Sequence, residues 1–212
     1  KELERAVKKL GMRGGILNSH THGTYLDDER YWAIFEAAEA LDVPIYLHPQ
    51  TPPPKMIEPF LDRALDAAVY GFACETGLHA LKLVVAGVFD RFPKLQIVLG
   101  HTGEALPFWL SRIDFMHTRI SRSNRPPNVK PLKRVASDYL KDNFHYTSSG
   151  VGWAPPIQFI REVIGPDRMM YAMDYPWQFV PEEIGELETM PIGDDGLKQF
   201  FEDNARRLFK IG

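Results

Sequence analysis

Along this chain the apolar positions alternate between helical spacing and short unbroken runs. The opening "KELERAVKKL" places Leu3, Val7 and Leu10 on one side of a charged helix, and "GGILNSH" follows it. "YWAIFEAAEALD" has Trp32, Phe35, Ala38 and Leu41 near one face, and leads into "VPIYLHP". A long helical region spans roughly 58 to 92, with Leu78, Leu81, Val85 and Val88 at helical spacing, and "LQIVLGHTGE" comes after it. Then follow "LPFWLSRIDFMHTRI", a polar Pro-containing loop, a short helix near 131 to 141, and "NFHYTSSG". "PIQFIREVIG" leads to "RMMYAMDYP", and the helix "GLKQFFEDNARRLF" closes the chain.

Runs such as "PIYL", "QIVL" and "MMYAM" are apolar on both alternations, which is the pattern of parallel strands covered by helices. No Asn-Gly-type hairpin turn separates them. The predicted fold class is therefore α/β, with five strands ending at His20, His48, His101, Thr147 and Asp174. Chemistry at strand C-termini suits a (β/α)8 barrel of the TIM type, and it also suits an open doubly wound sheet. Neither a G-x-G-x-x-G fingerprint nor a Walker sequence follows any of the runs.

At 212 residues, 44% of them hydrophobic, the chain has enough apolar material for a single domain over 1–212. Its net charge of −3, with no basic block, argues against nucleic acid as a partner. The apolar run "LVVAGVF" is far too short to span a bilayer, so no membrane association is expected. A single cysteine, Cys74, excludes an internal disulfide and suits a cytoplasmic setting. The opening residues are charged and lack the apolar core of a secretion signal.

The motif "NSHTHG" raises a specific question. In an extended chain His20 and His22 point to the same side, as a metal pair would, but they equally suit the border of a pocket built elsewhere. His48 ends a buried run and precedes Pro49. His101 ends another, with Glu104 three residues on to orient its imidazole, and Asp174 ends a third. Two imidazoles and a carboxylate at strand ends suit a divalent metal beside a general acid or base. His79 reads as a packed helix residue and His117 as solvated. His145 faces either the mouth or the helix layer, and Cys74 reads as a small buried residue. "PPP" at 52 to 54 makes a stiff loop beside the site.

Taken together, "VPIYLHP", "GFACETGLHALKLVVAGVFDRFPKLQIVLGHTGEALPFWLSRID", "NFHYTSSG" and "RMMYAMDYP" resemble the decarboxylase branch of the amidohydrolase superfamily. The likeness is to the γ-resorcylate and 2,3-dihydroxybenzoate decarboxylases, with aminocarboxymuconate semialdehyde decarboxylase more distant, and it runs from about Gly14 to "DNARRLF". It implies a (β/α)8 barrel holding one zinc or manganese ion. His48 and Asp174 would be metal ligands, and His101 and Glu104 a catalytic pair, with Asp174 also handling a proton. On this likeness the five runs are strands 4 to 8, and the chain is the C-terminal part of such a barrel. The branch's Glu-x-His metal pair on strand 1 has no counterpart here.

The activity so implied is non-oxidative decarboxylation of a small hydroxybenzoate-type aromatic acid. A metal-dependent hydrolase of an ester, lactone or amide is the alternative, and a non-catalytic barrel fragment a second one. His20, His22, Pro49 and Tyr175 are expected to contact the substrate, with Tyr46, Trp153 and Trp177 as further aromatic walls. The fragment reading would leave two strand edges open and favour association with a second chain, and a homo-oligomer, dimer or tetramer, is expected.

Overall fold

The computed structural model describes residues 1–123, 129 and 131–212. Five strands form a single sheet: β1 (Gly15–Asn18), β2 (Ile45–His48), β3 (Ile97–Leu99), β4 (Phe144–Thr147) and β5 (Met169–Met170). Every adjacent pair is parallel, and the spatial order is β1-β2-β3-β4-β5. A doubly wound sheet reverses its order at a switch point, whereas a barrel winds in one direction. The unbroken order therefore decides between the two architectures in favour of the barrel wind.

Each strand is reached through helices: α1 (Glu2–Leu10), α2 (Trp32–Leu41), α3 (Pro54–Leu61), α4 (Gly71–Val85), α5 (Val88–Arg91), α6 (Leu110–Ser121), α7 (Ala136–Asp142) and α8 (Ala154–Val163). After β5 come α9 (Glu182–Leu187), α10 (Gly193–Lys198) and α11 (Asn204–Phe209), the last two joined through a π-helical turn. The helical region expected over 58 to 92 is thus broken into α3, α4 and α5. The break follows from a close backbone crossing: a Cβ at Gly71 would lie 2.4 Å from the Asp66 carbonyl oxygen, and the Gly71 N–H donates to Leu65 O instead of continuing α3. The polar loop expected after α6 lies largely outside the described residues.

Strand register explains the burial. Ile45 pairs with Ile97, which pairs with Phe144; Leu47 pairs with Leu99, which pairs with Tyr146. These six side chains share one face of the sheet and are buried against Phe35, Leu83, Val84, Phe89 and Leu140 of the helix layer. The alternate positions, Ile16, Tyr46, Val98 and His145, share the opposite face. Ile16 is 62% exposed there, on the edge strand β1.

Candidate active site

Three of the strand-end residues picked out in the sequence meet in one cavity of about 970 Å³: His48, His101 and Asp174, with Glu104 and Pro49 in the same wall. They arrive by different backbone routes. His48 is the last residue of β2, while His101 lies two residues beyond β3 and Asp174 four beyond β5.

The stretch after β3 is unusual. His101, Thr102, Glu104 and Ala105 all have φ between 49° and 61°, and Gly103 between them has φ 79°. Four non-glycine residues in the left-handed region cost about 1–2 kcal/mol each. Such strain persists where surrounding contacts over-determine it. Here the Gly103 N–H donates to Gly100 O at 2.7 Å, and the His101 N–H donates to Ser149 Oγ at 3.2 Å. The turn brings His101 Nδ1 to 2.5 Å from Glu104 Oε1, and the Glu104 side chain is only 1% exposed. Burial opposes a charge on His101. The hydrogen bond and charge of Glu104, with Asp174 adding to them, outweigh it and raise the His101 pKa.

Asp174 is also left-handed, with φ 70°. It faces His101 across Gly150. A Cβ built on Gly150 would stand 3.8 Å from both Asp174 Oδ2 and His101 Nε2, and 3.1 Å from His101 Cδ2. Beneath them runs a chain of hydroxyls. Tyr46 OH lies 2.9 Å from Thr147 Oγ1, which lies 3.0 Å from Ser149 Oγ, the acceptor for His101 N–H. Gly100 leaves room for this chain, since a Cβ there would be 3.0 Å from Ser149 Oγ.

Imidazole and carboxylate donors together suit zinc or manganese. The His48 ring is set for such a role: its Nδ1 lies 2.8 Å from Pro49 O, so Nδ1 carries the proton and the Nε2 lone pair is left for a ligand. Among the described residues no group of three or more His, Cys, Asp or Glu is arranged to hold an ion. His48 and Asp174 offer two candidate donors to such an ion.

Other expected residues lie elsewhere. His20 is buried, and both its ring nitrogens are engaged: Gly23 N–H donates to Nδ1 at 3.1 Å, and Nε2–H reaches Thr51 O at 3.0 Å. His22 is exposed. Neither histidine belongs to the cavity wall, nor does Tyr175, which is 73% exposed, nor Trp153. Of the expected aromatic walls only Trp177 lines the cavity. Its other aromatic walls are Phe72, Phe108 and Phe159, which the sequence showed only as apolar helix positions.

His79 is packed, as its helix position implied. His117 is half-buried rather than solvated: its Nε2 is buried with no hydrogen-bond partner among the described residues, and its ring lines an apolar groove with Leu81 and Met116. His145 stays away from the mouth, between Gln96 and Arg168, which precede β3 and β5 and so mark the opposite end of the sheet. Cys74 is half-buried.

The amidohydrolase family pattern matches residues 1–211 of this chain. The chain belongs to the amidohydrolase family. Among its relatives is the gamma-resorcylate decarboxylase of Polaromonas sp. strain JS666, 35% identical over all of this chain and 66% of the relative. The structure of 5-carboxyvanillate decarboxylase from Novosphingobium aromaticivorans, complexed with manganese and 4-hydroxy-3-methoxy-5-nitrobenzoic acid, superposes with a TM-score of 0.97 at 48% identity. That match covers 99% of this amidohydrolase and 60% of the other chain. Dihydroxybenzoic acid decarboxylase from Polaromonas sp. JS666, with bound manganese and 2-nitroresorcinol, superposes at 0.90 with 35% identity, over 99% of this chain and 64% of that one. The chain therefore spans slightly less than two thirds of the length of each. The barrel wind read from its strand order is the fold it shares with these amidohydrolases.

Proposed function

We propose that this amidohydrolase is a metal-dependent, non-oxidative decarboxylase of a hydroxybenzoate-type acid. The observation that carries the proposal is the meeting of His48, Asp174 and the strained His101–Glu104 pair in one cavity. The names of the relatives support the same chemistry. Residues 1–212 would then form the C-terminal, strand 4–8 portion of the barrel. His48 and Asp174 would hold a zinc or manganese ion. When bound, such an ion acts as a Lewis acid and template for an adjacent phenolic oxygen and carboxylate.

The chain's own residues handle the proton. Glu104 holds the proton on His101 Nδ1 and fixes the ring, so that Nε2 faces Asp174. The Asp174 carboxyl gives a proton to the ring carbon bearing the carboxylate, forming a C–H bond and interrupting the aromatic system. The C–C bond to the carboxylate then breaks, its electron pair restores the ring, and CO2 leaves. His101, protonated at Nε2 by solvent while Nδ1 keeps its proton hydrogen-bonded to Glu104, then gives that Nε2 proton to Asp174 for the next turnover. Phe72, Phe108, Phe159 and Trp177 give the cavity an apolar aromatic wall against which an aromatic ring can lie. Pro49, in the same wall, stays with them as a substrate contact.

We place the protein in the cytoplasm as a homo-oligomer, dimer or tetramer, with a small aromatic acid as its partner. The single cysteine suits the first. No helix among the described residues is long and apolar enough to cross a membrane.

The test combines metal analysis with product analysis. His48→Ala and Asp174→Ala should lose bound metal, while His101→Ala should keep it and lose turnover of a 2-hydroxybenzoate probe, read as CO2. Acid release from ester probes without CO2 release would replace decarboxylation with hydrolysis. Metal loss from His101→Ala as complete as from His48→Ala would overturn the division of roles.

A further inference from the structure

A second polar cluster lies sealed behind the cavity wall. Glu75 and His79, one helical turn apart on α4, are both 0% exposed, and Ser19 just after β1 is 3% exposed. The bonds run in one direction. The Leu26 N–H donates to His79 Nε2 at 3.0 Å, so the His79 proton sits on Nδ1 and is donated to Ser19 Oγ at 2.9 Å. The Ser19 hydroxyl in turn donates to Glu75 Oε1. Thr76 Oγ1 donates to Glu75 Oε2 at 3.2 Å, and the Gln50 backbone N–H favours the same carboxylate.

Serine, histidine and a carboxylate together invite comparison with a hydrolytic triad, but the order excludes it. In a triad the histidine lies between the other two and takes the serine proton. Here the serine lies between them and gives its proton to the carboxylate, so the hydroxyl is not activated. His79 is held neutral, pushed down to about 3 by burial and then by Lys82 and His20.

What the cluster does touch is the backbone at two strand exits. Ser19 leaves β1 with φ 33°, a left-handed conformation that bonds to Glu75 and His79 hold in place. Its neighbour His20 reaches Thr51 O. Gln50, facing Glu75, is two residues beyond His48. The α4 carboxylate therefore joins the exit of β1 to the exit of β2, and His20 makes a second tie across the same gap. Between the ties and the strand sit His48 and Pro49, both in the cavity wall.

We propose that Glu75 is a positioning residue: through Ser19, Gln50 and the His20 tie it fixes the His48–Thr51 segment, and so the ring of His48, in the cavity. The metal-binding consequence rests on the reading of His48 as a ligand; the fixing of the segment does not. Groups that hold a metal ligand from behind change metal affinity by about 10- to 100-fold, and Glu75, acting through one further step, belongs at the lower end.

The experiment compares Glu75→Ala, Glu75→Gln and Ser19→Ala with the unaltered protein, each first shown to be folded by circular dichroism. One measurement is Mn2+ affinity by calorimetry, without substrate. The other is hydrogen exchange at the amides of Gln50 and Gly23, with the amides of α8 as a distant control. Glu75→Ala should weaken Mn2+ binding about tenfold and speed exchange at Gln50 and Gly23 at least as much, leaving α8 unchanged. Glu75→Gln keeps an acceptor oxygen and the side-chain shape, and should recover part of both losses. Ser19→Ala should give a smaller change in the same direction, and stands in should Glu75→Ala fail to fold. Unchanged Mn2+ affinity with unchanged Gln50 exchange in the folded variants would overturn the proposal, as would faster exchange spread equally over α8. If the unaltered protein binds no Mn2+, the exchange data alone decide whether Glu75 fixes the segment.

Discussion

Gly150→Ala tests the geometry of the site with one methyl group. Two effects should separate. The first is on stability. Gly150 has φ 69°, and an alanine there costs about 1–2 kcal/mol through crowding of its Cβ against the backbone. For a chain of this length that lowers Tm by roughly 2–8 °C. The second is on the reaction. The new Cβ would sit 3.1 Å from His101 Cδ2, against about 3.5–4.0 Å for carbon atoms at optimal separation. The imidazole is held at Nδ1 by Glu104 and cannot slide freely, so it must tilt by about half an ångström, carrying Nε2 relative to Asp174. A misplacement of 1 Å costs on the order of 10²-fold in rate, so about tenfold is expected here. The assay is CO2 release from a 2-hydroxybenzoate probe at saturating Mn2+, beside a thermal melt and metal analysis. Lower Tm, near-normal metal content and about tenfold slower turnover would agree with the geometry. A lower Tm with unchanged turnover would refute the reasoning that the space above Gly150 holds His101 and Asp174 in their working arrangement.

Other outcomes follow from the same structure. Gly103→Ala should be far more damaging to the fold, because its Cβ would lie 2.7 Å from two ring carbons of the buried Tyr146 at φ 79°; a loss above about 3 kcal/mol in denaturant unfolding is expected, and a loss below about 1 would contradict the packing. His20→Ala should cost about 1–3 kcal/mol by breaking its bonds to Gly23 and Thr51, while the exposed His22→Ala should stay within about 0.5 kcal/mol; equal effects in urea titrations would mean that the two histidines are not placed as described. His79 and His145 are each pushed down to about 3, chiefly by burial, then by Lys82 and His20 at His79 and by Arg168 and Arg207 at His145. Their folded forms are neutral, so the stabilisation is complete above the unfolded value of about 6.5 and is lost as pH falls from there toward 3, at about 1.4 kcal/mol per pH unit for each group. Unfolding free energies between pH 7 and 4 should show this fall, and His145→Gln should remove one proton's share of the slope; an unaltered slope would show that His145 is already charged in the folded protein.

The apolar runs determined the sheet by themselves. Residues such as "QIVL" bury both faces, and only a parallel strand between helices accommodates that, so strand identity, direction and the chemistry at each end were readable without coordinates. His48, His101, Glu104 and Asp174 were readable for the same reason: a strand end is a fixed place, and topology carries such ends to one face. Tertiary structure decided what local pattern does not encode. The left-handed run from His101 to Ala105 is held by Ser149 and Gly100, and no propensity predicts four non-glycine residues in that conformation. "HTH" has the spacing of a metal pair, yet Gly23 and Thr51 occupy both nitrogens of His20, and a turn at His22 with φ 49° ends the extended geometry that would have aligned the two rings. His79 reads as a packed helix residue, and nothing marks its link through Ser19 to Glu75, because Ser19 lies 60 residues from His79 and 56 from Glu75 in sequence. Periodicity reports which side of an element is buried. Which polar group meets which is set by distances between elements, and those exist only once the chain has folded.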